Sequence, residues 1–257
     1  METQTSREVE NFRWGKLSFH SVEERFLAGP RQRRFEFWEA IKIFFEFLKG
    51  FRKLHFVGPC VTVFGSARFG ERSEAHGVAR TIGALLAKEG FTVVTGGGPG
   101  IMEAANRGAR EANGVSIGCN IVLPKEQRPN PYLDRWVDFE HFFVRKVMLL
   151  KYSYAFIALP GGYGTLDELF ETATLIQTGK IKHFPIVLVG KDYWQPLLDF
   201  LNGTLLARSA IDSADVDIFQ VTDSPEEAVS IVRSYVFEKF GIGYKYRPKR
   251  WKILWER

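Results

Sequence analysis

Two stretches of the sequence carry side chains whose types and spacing are suited to chemistry. One is the basic pair Arg145-Lys146, and the other is the run Pro160-Gly161-Gly162-Tyr163-Gly164-Thr165, which ends three residues before Glu168. This run follows the apolar segment Ala155-Phe156-Ile157-Ala158-Leu159, so the pattern predicts a turn from a buried strand into a helix. Unpaired N–H groups and the helix dipole make the start of a helix an anion site. We therefore expect the turn to hold a phosphate group.

The kind of phosphate follows from what the turn lacks. It contains no lysine of the GxxxxGK[ST] type, so it is not a nucleoside-triphosphate loop that binds magnesium. A monophosphate fits better. We expect Gly161, Gly162, Gly164 and Thr165 to hold it, with Tyr163 and Lys146 as further ligands.

Glu168 allows two interpretations. As a carboxylate one helical turn beyond the phosphate loop, it would reach the sugar of a bound nucleotide. However, Thr165-x-x-Glu168 is also the sequence of a capping box, in which both side chains only satisfy the first N–H groups of the helix. Local sequence favours the capping box, and a basic pair such as Arg145-Lys146 is usually solvated. The residues alone leave both interpretations open.

Two further loops are rich in small residues. The first, Gly65-Ser66-Ala67-Arg68, offers the hydroxyl of Ser66 and the fixed charge of Arg68. The second, Gly96-Gly97-Gly98-Pro99-Gly100, has three consecutive glycines that core packing does not explain, since they cost backbone entropy without burying a side chain. We expect a ligand to approach Ser66, Gly97 and Gly98. The spacing is not that of the dinucleotide fingerprint GxGxxG.

These loops require a scaffold that brings them together. Short apolar runs alternate with helical patterns, which predicts a doubly wound, Rossmann-like α/β fold with a parallel sheet covered on both faces. In such a fold the loops meet at the carboxyl ends of the strands. The predicted strands are 60–64, 91–95, 115–122, 136–139, 155–159, 185–189 and one near 219–221. The predicted helices lie near 73–89, 100–112, 141–152, 165–178, 193–206 and 224–238.

The sequence divides into three parts. The pattern predicts a helical extension over residues 1–55, a catalytic domain over residues 56–240 and a basic tail over residues 241–257. The segment 35–49 has charges every three or four residues, so it predicts an amphipathic helix and not a membrane span. Acidic residues on its polar stripe argue against docking on a membrane surface, and we expect it to pack on the domain or on a second subunit.

Charge and cysteine content limit the partners. The net charge of +5 equals the excess of six basic residues over one acid in 241–257, so only this tail favours nucleic acid, and we expect none to bind. Cys60 and Cys119 are far apart without CxxC spacing, which indicates free thiols in a cytoplasmic protein. No cluster of His, Cys or Asp has metal-ligand spacing, so we expect no metal and no cofactor. His141 lies near the site in sequence, and we expect it to be structural.

Three motifs together resemble the LONELY GUY (LOG) family over residues 59–235. They are Gly-Gly-Gly-Pro-Gly-Ile-Met at 96–102, Phe-Val-Arg-Lys-Val-Met at 143–148 and Pro-Gly-Gly-Tyr-Gly-Thr-Leu-Asp-Glu at 160–168. The resemblance implies a Rossmann-type homodimer that cuts the N-glycosidic bond of nucleoside 5′-monophosphates, giving free base and ribose 5-phosphate; plant members release cytokinins. It also implies that Arg145 and Glu168 are the catalytic pair and that Glu126 and Thr174 contact the ligand.

Some features depart from this family. The family often has Met-His before the Arg-Lys pair, where this chain has Phe142-Phe143-Val144. The extension and the tail exceed the compact plant form, which argues against a cytokinin substrate. Many members carry a lysine decarboxylase label, but no residue here supports pyridoxal chemistry. The same fold would also serve a non-catalytic carrier or sensor of a nucleotide or molybdenum cofactor, and this alternative stays open.

Overall fold

The computed structural model describes residues 22–122, 128–181 and 184–240, and within them it contains the predicted parallel sheet. Seven strands, all paired in parallel, lie in the order β4-β3-β2-β1-β5-β6-β7. Their apolar, β-branched sequences suit strands that are buried on both faces. The strands are β1 Cys60–Phe64, β2 Thr92–Thr95, β3 Ser116–Ile121, β4 Arg135–Phe139, β5 Ser153–Ala158, β6 Ile186–Val189 and β7 Phe219–Thr222. The predicted fold class is confirmed.

Helices cover both faces of this sheet. One face carries α3 (Glu74–Lys88), α4 (Ile101–Glu111) and α9 (Pro225–Phe240), whose alanines and aliphatic residues pack on Val61, Val63 and Ile157. The other face carries α2 (Arg33–Leu54), α5 (Phe142–Tyr152), α6 (Tyr163–Gln177) and α7 (Lys191–Phe200), around a core that contains Phe156 and Trp194. The two remaining α-helices of the described chain are short: α1 (Val22–Leu27) and α8 (Ser213–Val216).

Two details differ from the expectation. The helix predicted at 193–206 is α7 followed by a π-helical segment, Leu201–Leu206. The four-residue helix α8 was not predicted, because one turn is too short for a periodic pattern; a capping box between Asp212 and Asp215 stabilises it. Cys60 and Cys119 are free and buried, in agreement with the prediction of free thiols.

The extension helix α2 has an inner and an outer face. Its inner face packs on the domain as predicted: Gly50 lies so close to α5 that a Cβ atom there would be 2.7 Å from the Met148 sulfur. Of the three acids in the segment 35–49, Glu39 and Glu46 lie on this side and Glu36 is exposed. The outer face exposes four aromatic side chains, Phe37, Trp38, Phe44 and Phe45. No helix of the described residues is long and apolar enough to span a membrane. Residues 1–21 and the basic tail 241–257 lie outside the described residues.

The strand order places the candidate site. β2 lies on one side of β1 and β5 on the other, so the connections leave β1 and β5 in opposite directions. At such a switch point a crevice opens beyond the carboxyl ends of the two strands, and ligands of open α/β sheets bind there.

Candidate active site

The three small-residue loops meet at the switch point, as predicted. The Ser66 N–H, after β1, donates to the Pro160 carbonyl, after β5, at 2.9 Å. The Ser66 carbonyl in turn accepts from the N–H of Ile101, the first residue of α4, at 3.1 Å. Gly100 packs against the first loop, where a Cβ atom would lie 2.6 Å from the Ser66 carbonyl oxygen. Backbone contacts therefore lock the loops into one structure.

The loop Pro160–Gly162 leads into the start of α6. Gly162 is the N-cap residue in an extended conformation and has no side chain that could cap the helix. The first N–H groups of a helix have no partner within it, which makes this helix start a candidate anion site. Gly161 is required here, because a Cβ atom would lie 2.1 Å from the Thr165 hydroxyl oxygen. Tyr163, the first residue of the helix, is 93% exposed.

The capping-box interpretation of Thr165 and Glu168 is wrong. The helix begins at Tyr163, two residues before Thr165, so Thr165 occupies its first turn and is not the N-cap. The Thr165 N–H donates to the Gly162 carbonyl at 3.0 Å and leaves none for a reciprocal cap with Glu168. Both side chains are buried. Glu168 therefore faces inward from the second turn of α6, where its carboxylate pairs with a side chain from another helix.

That partner is Arg145. Its Nη2 donates to Oε1 of Glu168 at 3.2 Å, with side-chain exposures of 14% for the arginine and 3% for the glutamate. Phe142 supports the guanidinium, whose carbon lies 5.3 Å from the ring centroid. Arg145 Nε is buried without a hydrogen-bond partner in the described part of the chain. The pair predicted from the motifs is thus brought together by two neighbouring helices, α5 and α6.

Burial changes the chemistry of Glu168. It raises the pKa of the carboxyl to about 7, and the positive charges of Arg145 and Lys146 oppose this rise only in part. A carboxyl with a pKa near 7 exchanges a proton readily at neutral pH, which suits a general acid or base.

Lys146 points to a different set of partners. Its Nζ is 2.9 Å from Asp167 and 2.9 Å from Glu171, both on α6. Burial alone would lower the pKa of Lys146, but the hydrogen bonds and charges of these two carboxylates outweigh it and raise the pKa. The structure therefore places Lys146 in ion pairs with two carboxylates of α6, and its role as a ligand stays a prediction.

The second glycine loop is held by packing and by a buried polar network. Asn130 Nδ2 lies 3.1 and 3.2 Å from the carbonyl oxygens of Gly97 and Gly98 and 3.0 Å from Asn106 Oδ1. Thr95 also donates to Asn106 Oδ1, at 2.6 Å. None of the three polar side chains was predicted as part of the site, because nothing in the local sequence around them differs from an ordinary turn or helix.

The expectation that packing does not explain the three consecutive glycines is wrong for two of them, Gly96 and Gly97. Gly97 has φ +72°, and a Cβ atom there would lie 2.2 Å from Trp136. A Cβ atom at Gly96 would meet Met102 at 2.7 Å, and Gly100 packs on the first loop as described above. Gly97 and Gly98 are both buried.

The remaining predicted residues lie around this centre. The Ser66 hydroxyl accepts the Arg68 N–H at 3.1 Å, which holds its loop in a tight turn. Thr174 is exposed on α6, next to Phe170 and Leu175, at the edge of an open groove. Glu126 lies outside the described residues. Tyr193 was missed: its hydroxyl donates to the Gly161 carbonyl at 2.7 Å and steadies the phosphate loop from α7.

Comparison with known proteins agrees with the motifs. The family model described as "Possible lysine decarboxylase" matches residues 102–232, just over half of the chain. The chain belongs to this family. Its members include LOG proteins, among them rice "Probable cytokinin riboside 5′-monophosphate phosphoribohydrolase LOG4", which is 32% identical over 181 residues, or 67% of this chain and 76% of the relative.

Two other curated relatives match shorter regions. The rice protein LOGL5, with the same probable activity in its name, is 37% identical over 147 residues, or 55% of this chain and 58% of the relative. Rice LOG, named a cytokinin riboside 5′-monophosphate phosphoribohydrolase, is 34% identical over 158 residues, or 60% of this chain and 63% of the relative. The chain thus spans about three fifths of the length of these two relatives.

Solved structures share the fold. The X-ray structure of the structural genomics target TM1055 is 28% identical, with a TM-score of 0.52 over 68% of this chain and 99% of that one. A molybdenum cofactor binding protein from Rippkaea orientalis is 24% identical, with a TM-score of 0.52 over 69% of this chain and 97% of that one. At that identity the second likeness shows the fold alone.

Proposed function

We propose that the protein is a nucleoside 5′-monophosphate phosphoribohydrolase. It would hydrolyse the N-glycosidic bond of AMP-like nucleotides, or of a cytokinin riboside monophosphate, to free base and ribose 5-phosphate. The observation that carries the proposal is the buried Arg145–Glu168 pair, held on the helix whose N-cap residue is Gly162 of the glycine-rich loop. The names of the LOG relatives support the same reaction.

Phosphate binding would place the sugar. With the 5′-phosphate on the N–H groups around Gly162, the sugar would extend along the first turns of α6 toward Glu168. Glu168 is five residues beyond Tyr163, which is about 8 Å along a helix. Binding energy at the phosphate, remote from the bond that breaks, would hold the ring in the reactive geometry. The phosphate loop and Glu168 thus act on two ends of one small substrate.

Glu168 would act on the sugar carbon. As the bond to the base breaks, its electron pair leaves with the base, and positive charge develops on the ring. A carboxylate beside the ring stabilises this charge or removes a proton from the attacking water. Arg145 would keep the carboxylate oriented and favour its ionised form, since its positive charge lowers the pKa of Glu168. The two residues are therefore proposed as the catalytic pair.

The outer face of α6 supports a homodimer. Tyr163, Leu166, Phe170 and Leu175 line an open groove next to the site, and a second copy would bury these apolar side chains. Thr174 at the groove edge and Glu126 are proposed ligand contacts. Sedimentation at micromolar concentration tests the dimer, which a monomeric result would contradict. We also propose the division into an extension (1–55), a catalytic domain (56–240) and a tail (241–257), and a cytoplasmic location.

A non-catalytic carrier is the second candidate. A molybdenum cofactor binding protein shares the fold, and in a carrier the same crevice would hold a phosphate-bearing ligand without turnover. The buried carboxyl with a pKa near 7 favours catalysis instead, because a carrier has no need of a titrating group in its site.

One experiment separates the two. The protein is mixed with AMP, CMP, GMP and isopentenyladenosine monophosphate; free base and ribose 5-phosphate are assayed, and binding is measured in parallel by calorimetry. The enzyme releases base from at least one nucleotide, and the profile gives its base preference. Binding without release from any of the four would instead identify a carrier.

A further inference from the structure

The helix that carries Arg145 is capped by the N-terminal extension. α5 begins at Phe142, has no acidic residue in its first turn, and receives no side-chain cap from its N-cap residue His141. Instead, the Glu46 carboxylate of α2 accepts the backbone N–H groups of Glu140 and His141 at 2.6 and 3.2 Å. N–H groups at a helix start need such acceptors, and a negative charge there also offsets the helix dipole. The extension supplies what this helix lacks in its own sequence.

A second carboxylate reinforces the cap. Glu23, in α1, accepts the backbone N–H of Phe142 at 3.1 Å. The ring of this same Phe142 supports the Arg145 guanidinium at 5.3 Å. Glu23 therefore fixes the backbone of the residue on which the arginine rests.

A buried histidine links the cap to the arginine. Glu46 Oε2 contacts His141 Nδ1 at 2.6 Å, and the side chains are 10% and 1% exposed. Phe26 of α1 packs edge-on against the histidine ring, with the centroids 5.6 Å apart. The His141 carbonyl accepts the N–H of Arg145 at 3.2 Å. Arg145 thus lies one helical turn from contacts made by Glu23, Phe26 and Glu46, all more than 90 positions away in sequence.

We propose that Glu46, assisted by Glu23, is a positioning residue for Arg145. The extension would hold the start of α5 and thereby keep the guanidinium against Glu168. The Arg145–Glu168 distance of 3.2 Å is already at the long end for a hydrogen bond, so the contact tolerates little displacement. An error of about 1 Å in a catalytic group can cost about 100-fold in rate. The inference rests on the proposed function, because it assigns the extension a task in that same site.

A double-mutant cycle tests this coupling. Glu46→Ala, Arg145→Ala and the double variant are compared for kcat and KM with AMP and for AMP affinity by calorimetry. If Glu46 acts through Arg145, Glu46→Ala lowers kcat/KM about 10-fold or more when Arg145 is present and less than about twofold when it is absent. If the role of Glu46 is merely structural, Glu46→Ala lowers kcat/KM by the same factor whether or not Arg145 is present, and that result would overturn the proposal.

Matched variants keep the test decisive. Glu46→Gln retains one acceptor oxygen for the two N–H groups, so it recovers most of the loss. Glu36→Ala removes an exposed carboxylate from the first turn of the same helix and leaves kcat/KM unchanged both with and without Arg145. If Glu46→Ala does not fold, Glu46→Gln and Glu23→Ala carry the same cycle. The cycle uses AMP or, where AMP is not bound, whichever of the four nucleotides named above the wild type binds most tightly. Wild-type protein that binds at least one of the four and hydrolyses none overturns the proposed function, while the cycle on affinity still decides the role of Glu46. Protein that neither binds nor hydrolyses any of the four overturns both.

Discussion

The buried carboxyl of Glu168 predicts a stability that depends on pH in a defined direction. Its pKa is about 7 in the folded chain against an ordinary value of 4.5. Between these two pH values the folded chain holds a proton that the unfolded chain releases, so the free energy of unfolding falls as the pH rises. The stability that the protonated Glu168 carboxyl contributes, relative to the buried carboxylate, is fully present below pH 4.5 and is lost as the pH passes 7. The two pKa values correspond to about 3 kcal/mol, at about 1.4 kcal/mol per pH unit.

The substitution Glu168→Gln isolates the pH-dependent part of the stability that is due to Glu168. The amide has nearly the same shape, still offers an oxygen to Arg145 and carries no charge at any pH. Relative to this variant, the wild type is expected to lose about 3 kcal/mol of unfolding free energy between pH 4.5 and 8.5. Urea unfolding followed by tryptophan fluorescence at constant ionic strength measures the difference.

The control for this experiment is Glu140→Gln, which removes the same charge from an exposed side chain next to the site helix. Its unfolding free energy should follow that of the wild type across the pH range. Parallel curves for the wild type and Glu168→Gln would refute the reasoning, because they would mean that Glu168 is not an unfavourably buried carboxylate.

Three further predictions concern the rate and the loops. Because Glu168 is proposed to work as the carboxylate, kcat with AMP should rise from pH 5 to 8 around a midpoint near 7, and Arg145→Ala should move the midpoint upward; a rate that falls above pH 7 would contradict this role. Gly161→Ala places a methyl group against Thr165 and should cost about 1–3 kcal/mol of stability by urea unfolding. Gly164→Ala, which meets no atom within 4 Å, is its control and should be neutral or stabilising; equal losses would contradict the packing argument. Asn130→Ala leaves the Gly97 and Gly98 carbonyls without this donor and should cost about 1–3 kcal/mol, whereas an unchanged unfolding midpoint would show that the network does not hold the loop.

The sequence was sufficient to predict the fold, and its motifs contain the residues that the structure brings into contact in the candidate site. Apolar strands alternating with helical patterns leave few arrangements other than a parallel, doubly wound sheet, and all seven predicted strands are present. The loop at 160–165 and the pair Arg145–Glu168 could be found because each belongs to a contiguous motif. The structure adds that β1 and β5 are neighbours, which brings Ser66 to Pro160.

Two of the errors involve contact between distant parts of the chain. Thr165 and Glu168 have the spacing of a capping box, but Gly162 starts the helix earlier and Arg145, 23 residues upstream, receives the glutamate. Gly97 packs on Trp136, from a strand that local sequence does not connect to it.

The residues that were missed have the same explanation. Asn130, Tyr193 and Glu46 each act on a residue at least 32 positions away, on the Gly97–Gly98 loop, the phosphate loop and the start of α5. Local sequence carries no signal for such contacts.

The central claim is that the phosphate loop and the Arg145–Glu168 pair together hydrolyse a nucleoside monophosphate. The most direct measurement follows adenine and ribose 5-phosphate released from AMP by the wild type and by Glu168→Gln, with AMP affinity measured on the same samples. We predict equimolar release of the two products by the wild type, about 10²–10⁴-fold slower release by the variant, and similar AMP affinity in both. Equal rates in the two proteins, or no release from AMP or any related nucleotide by the wild type, would contradict the claim.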